Sequence, residues 1–119
     1  MNTFFYLKNC CTCSRIIKDL NLPNDVIMHE IKSEQFSEEQ LVNLKQLAGS
    51  YEALFSKRAQ LYKSEGLKNK KLSEDDFKHY LLKHYTFLKR PVLVYKSQIF
   101  IGNGPKTIDA AKAFIQTNE

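Results

Sequence analysis

The hydrophobic pattern of residues 3–31 switches period twice, and that constrains the fold more than any other feature of the chain. Thr3-Phe-Phe-Tyr-Leu7 is a short aromatic and apolar run of the kind that forms a strand buried on both faces. Asn9 to Thr12 then reads as a tight loop, after which Cys13, Ile16, Ile17 and Leu20 fall at i, i+3, i+4 and i+7, a single helical stripe that Asn21 and Pro23 bring to a stop. Asp25-Val-Ile-Met-His-Glu-Ile31 returns to a strand. Strand, helix and strand within about 30 residues make a βαβ unit, with parallel strands and a right-handed crossover.

The far end of the chain repeats the sheet signal in another form. After Arg90-Pro91, Val92-Leu-Val-Tyr95 and Gln98-Ile-Phe-Ile101 are strands joined by two residues, an antiparallel hairpin. Gly102 to Gly104 is a turn, and Pro105 suits the first turn of a closing helix that buries Ile108, Ala111, Phe114 and Ile115. The stretch between is helical. Ser37-Glu-Glu-Gln40 is a capping box ahead of Leu41, Leu44, Leu47 and Ala48, with Gly49 as the stop. Residues 51–65 read as one or two short helices ending at Gly66. Ser73-Glu-Asp-Asp76 caps a further helix, with Phe77, Tyr80, Leu81 and His84 as its apolar stripe. The order β-α-β, helices, β-β-α predicts an α/β fold with a thioredoxin-like mixed sheet. Its helical insertion, approximately residues 36–88, falls between the second and third strands of a single domain, 1–119.

A chain of 119 residues with 14 Phe and Tyr is long and apolar enough to bury a core without staples, and too aromatic to stay unfolded. No apolar run approaches the roughly 18 residues of a membrane span. Met1 to Lys8 is too short and too uncharged for a signal peptide, so a cytoplasmic location is expected. The net charge of +5 is uneven: residues 57–90 carry ten Lys or Arg against four Asp or Glu. This is a solvated helical surface, or a face for an anionic substrate or an acidic partner. Direct nucleic-acid binding is not expected, since the lysines are spread over helix and loop without a binding motif.

All three cysteines, Cys10, Cys11 and Cys13, lie within four positions. An odd, clustered set is no disulfide framework. Cys10-Cys-Thr-Cys13 stands where the first strand hands over to the first helix, the crevice end of an open α/β sheet. A thiol there faces unpaired N–H groups and the positive end of the helix dipole, so its pKa should fall below the usual value of about 8.5. Arg15 and Lys8 push the same way. Cys10 is read as the exposed attacking thiol and Cys13, on the buried stripe, as its resolving partner; Cys13 as simple core packing is the alternative. Cys11 has no assigned role. A zinc site from the two cysteines with His79 and His84 is a competing reading, but i and i+5 on a helix stand about 140° apart. No metal is therefore expected.

Arg90-Pro91 precedes a strand, where proline removes a ladder donor and where the X-Pro bond tolerates cis. In thioredoxin-like sheets this loop lies against the cysteine motif, which would bring the Arg90 charge to the site. Arg58, one of only three arginines, is the other candidate anion holder, or a surface residue.

Lys8-Asn-Cys10, Ser56-Lys-Arg58, Gly66-Leu-Lys68, Leu72-Ser-Glu74, Leu88-Lys-Arg-Pro-Val92 and Ile101-Gly102 together resemble the ArsC/Spx family over nearly the whole chain. That family holds glutaredoxin-linked arsenate reductases, Spx redox-responsive transcription regulators and reductase-like proteins. The resemblance implies a thiol-dependent oxidoreductase in which Cys10 attacks an oxyanion or disulfide substrate. Glutathione or another thiol would be the electron donor, with glutaredoxin or thioredoxin as partner and no bound cofactor. It implies Arg58 and Arg90 as oxyanion holders, and Pro91 and Thr12 as structural residues of the site. The family's third arginine position is Asn103 here, a hydrogen-bond donor without charge. The Cys10-x-x-Cys13 spacing resembles the Spx switch instead, which implies a redox sensor binding the RNA polymerase α subunit.

Overall fold

The computed structural model describes residues 2–8 and 11–118, the side chains of Cys11 and Gln60 excepted. Two compact units divide the chain, Met1–Glu34 with Arg90–Glu119, and Gln35–Lys89.

The first unit is a four-stranded mixed sheet in the order β2-β1-β3-β4. β1 (Thr3–Tyr6) pairs in parallel with β2 (Ile27–Glu30) and antiparallel with β3 (Val92–Tyr95), which pairs antiparallel with β4 (Gln98–Ile101). The apolar runs explain who sits where. β1 and β3 are the central strands and are buried along nearly all their length, as their unbroken apolar sequences require. β2 is an edge, with Ile27 and Met28 exposed. Helices α1 (Cys11–Leu20) and α5 (Pro105–Asn118) supply Ile16, Leu20, Ile108, Ala111 and Ile115 to a core built on Phe4, Leu93 and Tyr95. Thr3, Phe5, His29, Val92 and Val94 are also buried, with the His29 ring 5.0 Å from that of Phe5.

The two-residue β3–β4 turn is Lys96-Ser97, both at positive φ (48° and 67°). A type I′ geometry normally selects Asn-Gly. Here the Lys96 N–H donates to Asn2 Oδ1 at 2.8 Å, and its ammonium reaches the Asn118 carbonyl, so the turn is held from outside.

Helix α1 begins at Cys11, two residues before the apolar stripe does. Periodicity marks the buried face of a helix, and its first residues lie ahead of that face; Cys11 and Thr12 are therefore helical and not loop. Asn9 and Cys10 lie outside the described residues.

The second unit holds α2 (Glu38–Ala48), α3 (Gln60–Ser64), α4 (Glu74–Lys83) and three short 3₁₀ turns. Both capping boxes form: Ser37 with Gln40 at α2, and Ser73 with Asp76 at α4. Gly49 ends α2 at φ 97°, in the left-handed region that favours glycine. His84 does not extend the α4 stripe. It leaves the helix with extended backbone, and its Nδ1 accepts from the Thr86 N–H at 3.2 Å, capping the 3₁₀ turn that follows.

Phe55 is the hub of this unit. Its ring stacks on Phe87 at 5.2 Å and meets Phe77 at 4.9 Å and Tyr62 at 5.9 Å. The backbone tightens the same place: Ser56 N–H donates to the Phe87 carbonyl at 2.7 Å, and Lys89 N–H to that of Leu54 at 2.8 Å. Truncating Phe55 removes three ring contacts and leaves a cavity. Phe55→Ala is expected to lower unfolding stability by about 3–5 kcal/mol in urea denaturation. A loss below about 1 kcal/mol would show that the site collapses freely.

Candidate functional site

Strand register decides which of the expected site residues meet. His29 is opposite Phe5, Phe5 is opposite Val92, and Val92 is opposite Ile101. One row of residues thus runs across all four strands at the end where β1 feeds α1. Everything just beyond that row lies at the same end of the sheet: Lys8, the 31–34 turn, Arg90-Pro91 and Gly102-Asn103. A hydrogen bond from Gly102 N–H to the Pro91 carbonyl, 2.8 Å, closes the β4 side of the row. The Arg90–Pro91 peptide is cis. Pro91 is buried and Arg90 half-buried.

On α1, Thr12 is half-buried in the first turn and Cys13 is 0% exposed, on the stripe with Ile16 and Leu20. Cys10 itself lies outside the described residues. Asn103 is exposed and, with Pro105 and Asp109, borders an open groove of about 560 Å³ whose other wall is Arg15, Lys18 and Asp19 of α1. Asp19 is bridged by Lys112 at 3.3 Å. Arg15 and Asn103 therefore share one groove, a cation and a neutral donor. Arg58 belongs to the second unit, where it is exposed between Ser56 and α3.

His79 and His84, the histidines of the zinc reading, belong to the second unit. No group of three or more His, Cys, Asp or Glu suited to a metal occurs among the described residues. His79 is exposed and packs edge-on to Tyr80, and His84 is engaged with Thr86.

Glu30 is the residue that pattern reading misses. Its Oε2 accepts the Lys8 N–H at 3.0 Å, and its Oε1 accepts both the N–H and the hydroxyl of Ser33, each at 2.7 Å. Backbone donation from Lys8, then the Ser33 hydroxyl, holds its carboxyl down at about 2, against an ordinary value of 4.5. The Glu30-x-x-Ser33 spacing at a strand end was the available signal, since short-range Ser hydrogen bonds mark turns. The Lys8 bond spans 22 positions and leaves no such trace.

A sheet of order β2-β1-β3-β4, a cysteine motif where β1 meets α1 and a proline before β3 define a thioredoxin-like α/β protein. Narrower still, the ArsC family model matches residues 5–111, and the chain belongs to the ArsC family. Solved structures with the same fold include an arsenate reductase from Vibrio cholerae. Its TM-score is 0.75 at 19% identity, covering 92% of this chain and 96% of that one. A possible arsenate reductase from Streptococcus mutans has 29% identity and a TM-score of 0.68, covering 92% and 98%. An arsenate reductase related protein from Brucella melitensis has 21% identity and a TM-score of 0.67, covering 92% of each chain. No curated protein matches the chain significantly in sequence. Among the described residues, no helix is long and apolar enough to cross a membrane.

Because the Glu30 pKa is depressed on folding, its contribution to stability is complete above about pH 4.5 and is lost as pH falls toward about 2. The stability margin of the wild type over Glu30→Gln is expected to shrink across that window in urea titrations. A margin independent of pH would show that Lys8 and Ser33 do not hold the ionised carboxylate.

Proposed function

We propose that this protein is a thiol-dependent reductase of an oxyanion, with arsenate as the first substrate to test and Cys10 as nucleophile. The observation that supports this reading most is the row of residues at the sheet end. The chain leaves β1 for the cysteine motif at the same end where Arg90, Pro91 and Asn103 stand, in a member of the ArsC family. The Cys10 thiolate attacks arsenic and water leaves as the S–As bond forms. A glutathione thiolate then attacks the Cys10 sulfur and forms an S–S bond. The electron pair of the S–As bond reduces arsenic to arsenite, and a mixed disulfide stays on the protein. A second thiol, through glutaredoxin, clears that disulfide, so two thiols become one disulfide per arsenate reduced.

In this reading Arg90 and Arg58 hold the oxyanion, whose charge suits a guanidinium fork. Asn103 donates hydrogen bonds, and Arg15 in the same groove supplies a cation. Thr12 and Pro91 support the surrounding backbone. The C-x-x-C spacing supports a second reading, an Spx-like switch that binds the RNA polymerase α subunit, with Cys13 as the resolving thiol.

The test is arsenate-dependent NADPH oxidation coupled through glutathione, glutaredoxin and glutathione reductase. Wild type should turn over and Cys10→Ser should not. Arg90→Ala and Arg58→Ala should each raise KM for arsenate about tenfold, the size of one lost charged hydrogen bond, with a smaller effect on kcat. No turnover in the wild type, together with binding of the polymerase α subunit that responds to oxidation, would replace this reading with the switch.

A further inference from the structure

We propose that Glu30 is a positioning residue for Cys10, acting through the backbone of Lys8; the inference rests on Cys10 being the nucleophile. The last main-chain rung between β1 and β2 is the Ile31 N–H bound to the Tyr6 carbonyl, 3.0 Å. Beyond Tyr6 the chain has left the ladder. The Glu30 carboxylate catches it again two residues later, at the Lys8 N–H. Its other oxygen is occupied by Ser33, twice, so the carboxylate is held as a fixed acceptor and not a mobile one. One side chain thus adds a surrogate rung where the strand ends.

The opposite anchor is helical. α1 starts at Cys11, and Cys13, Ile16 and Leu20 fix it by burial. Only Asn9 and Cys10 lie between Lys8 and that helix. Two residues reach only about 7 Å, so fixing Lys8 and α1 limits where the chain between them can place a thiol, and misplacement of a reacting group by about 1 Å can cost a hundredfold in rate. The carboxyl is ionised throughout the neutral range, as its depressed pKa requires, so the Lys8 anchor persists at working pH.

Charge and position make opposite predictions. A carboxylate near a thiol raises the thiol pKa, so removing its charge alone would lower that pKa. Removing an anchor that aligns the thiolate with helix N–H groups would raise it. The experiment uses the full chain with Cys11→Ser and Cys13→Ala, leaving Cys10 as the one thiol, with and without Glu30→Gln. The thiol pKa is read from ultraviolet thiolate absorbance, and reactivity from the pH profile of iodoacetamide alkylation.

The positioning role predicts a higher thiol pKa in Glu30→Gln and alkylation about tenfold slower at neutral pH. Ser33→Ala loosens the carboxylate but leaves the Lys8 bond, and should move both quantities the same way by less; it carries the test if the Gln variant does not fold. A lower pKa, or unchanged reactivity with only a reduced melting temperature, overturns the inference and leaves the reading of Cys10 intact. An ordinary pKa and rate for Cys10 in the Glu30 protein overturn that reading and the inference together.

Discussion

The two hydrogen-bond ladders of β1 determine what stands at the candidate site. Four residues, Thr3 to Tyr6, pair in parallel on one side, and three of them, Thr3 to Phe5, pair antiparallel on the other. The antiparallel ladder brings the start of β3, and with it Arg90-Pro91, to the end of β1. The parallel ladder brings the end of β2, and with it Glu30. Since β4 pairs antiparallel with β3, its own end returns there as well, carrying Gly102 and Asn103. Residues scattered from 8 to 103 along the chain are assembled by register alone. A one-residue slip of β1 would turn Phe4 away from the core it shares with Leu93 and Ile16, so the burial of that ring enforces the register.

The second unit relies on a different device. Its helices are short, and short helices owe their stability to packing more than to propensity. Phe55 supplies that packing as one ring touched by Phe77, Phe87 and Tyr62. Carboxylates do the remaining stitching. Glu74 accepts the N–H groups of Tyr51 and Glu52 at 2.7 and 3.1 Å, and Glu38 meets Lys78 at 2.7 Å, which lowers the Glu38 pKa. Glu38 and Glu74 are exposed, so the value of these contacts lies in fixing geometry more than in adding stability.

What the sequence disclosed was local. Ser37 with Gln40, Ser73 with Asp76, Gly49 and the four strands are each written within a few adjacent residues, because caps, stops and periodicity act over one or two turns. The α/β order followed from them, and the quoted Lys-Arg-Pro and Lys-Asn-Cys segments pointed to the family. Long-range contacts were not legible. Nothing local tells that Glu30 holds Lys8, that Glu74 caps a turn 22 and 23 positions earlier, or that Phe55 gathers three rings. The start of α1 was misplaced because hydrophobic period reports burial and is blind to the residues ahead of the stripe. His84 was misplaced for the complementary reason: it fits the α4 period, but its ring bonds to Thr86 and the helix ends before it.

In the proposed reading, the handover from β1 to α1 makes Cys10 the reactive thiol among three neighbours. The most direct measurement is a competition among them within the native, reduced protein. A sub-stoichiometric amount of iodoacetamide is added near neutral pH, and peptide mass spectrometry counts the label at each cysteine. Label is expected at Cys10 well ahead of Cys11, and none at the buried Cys13 until the protein unfolds. Label shared evenly between Cys10 and Cys11, or appearing first at Cys11, would contradict it.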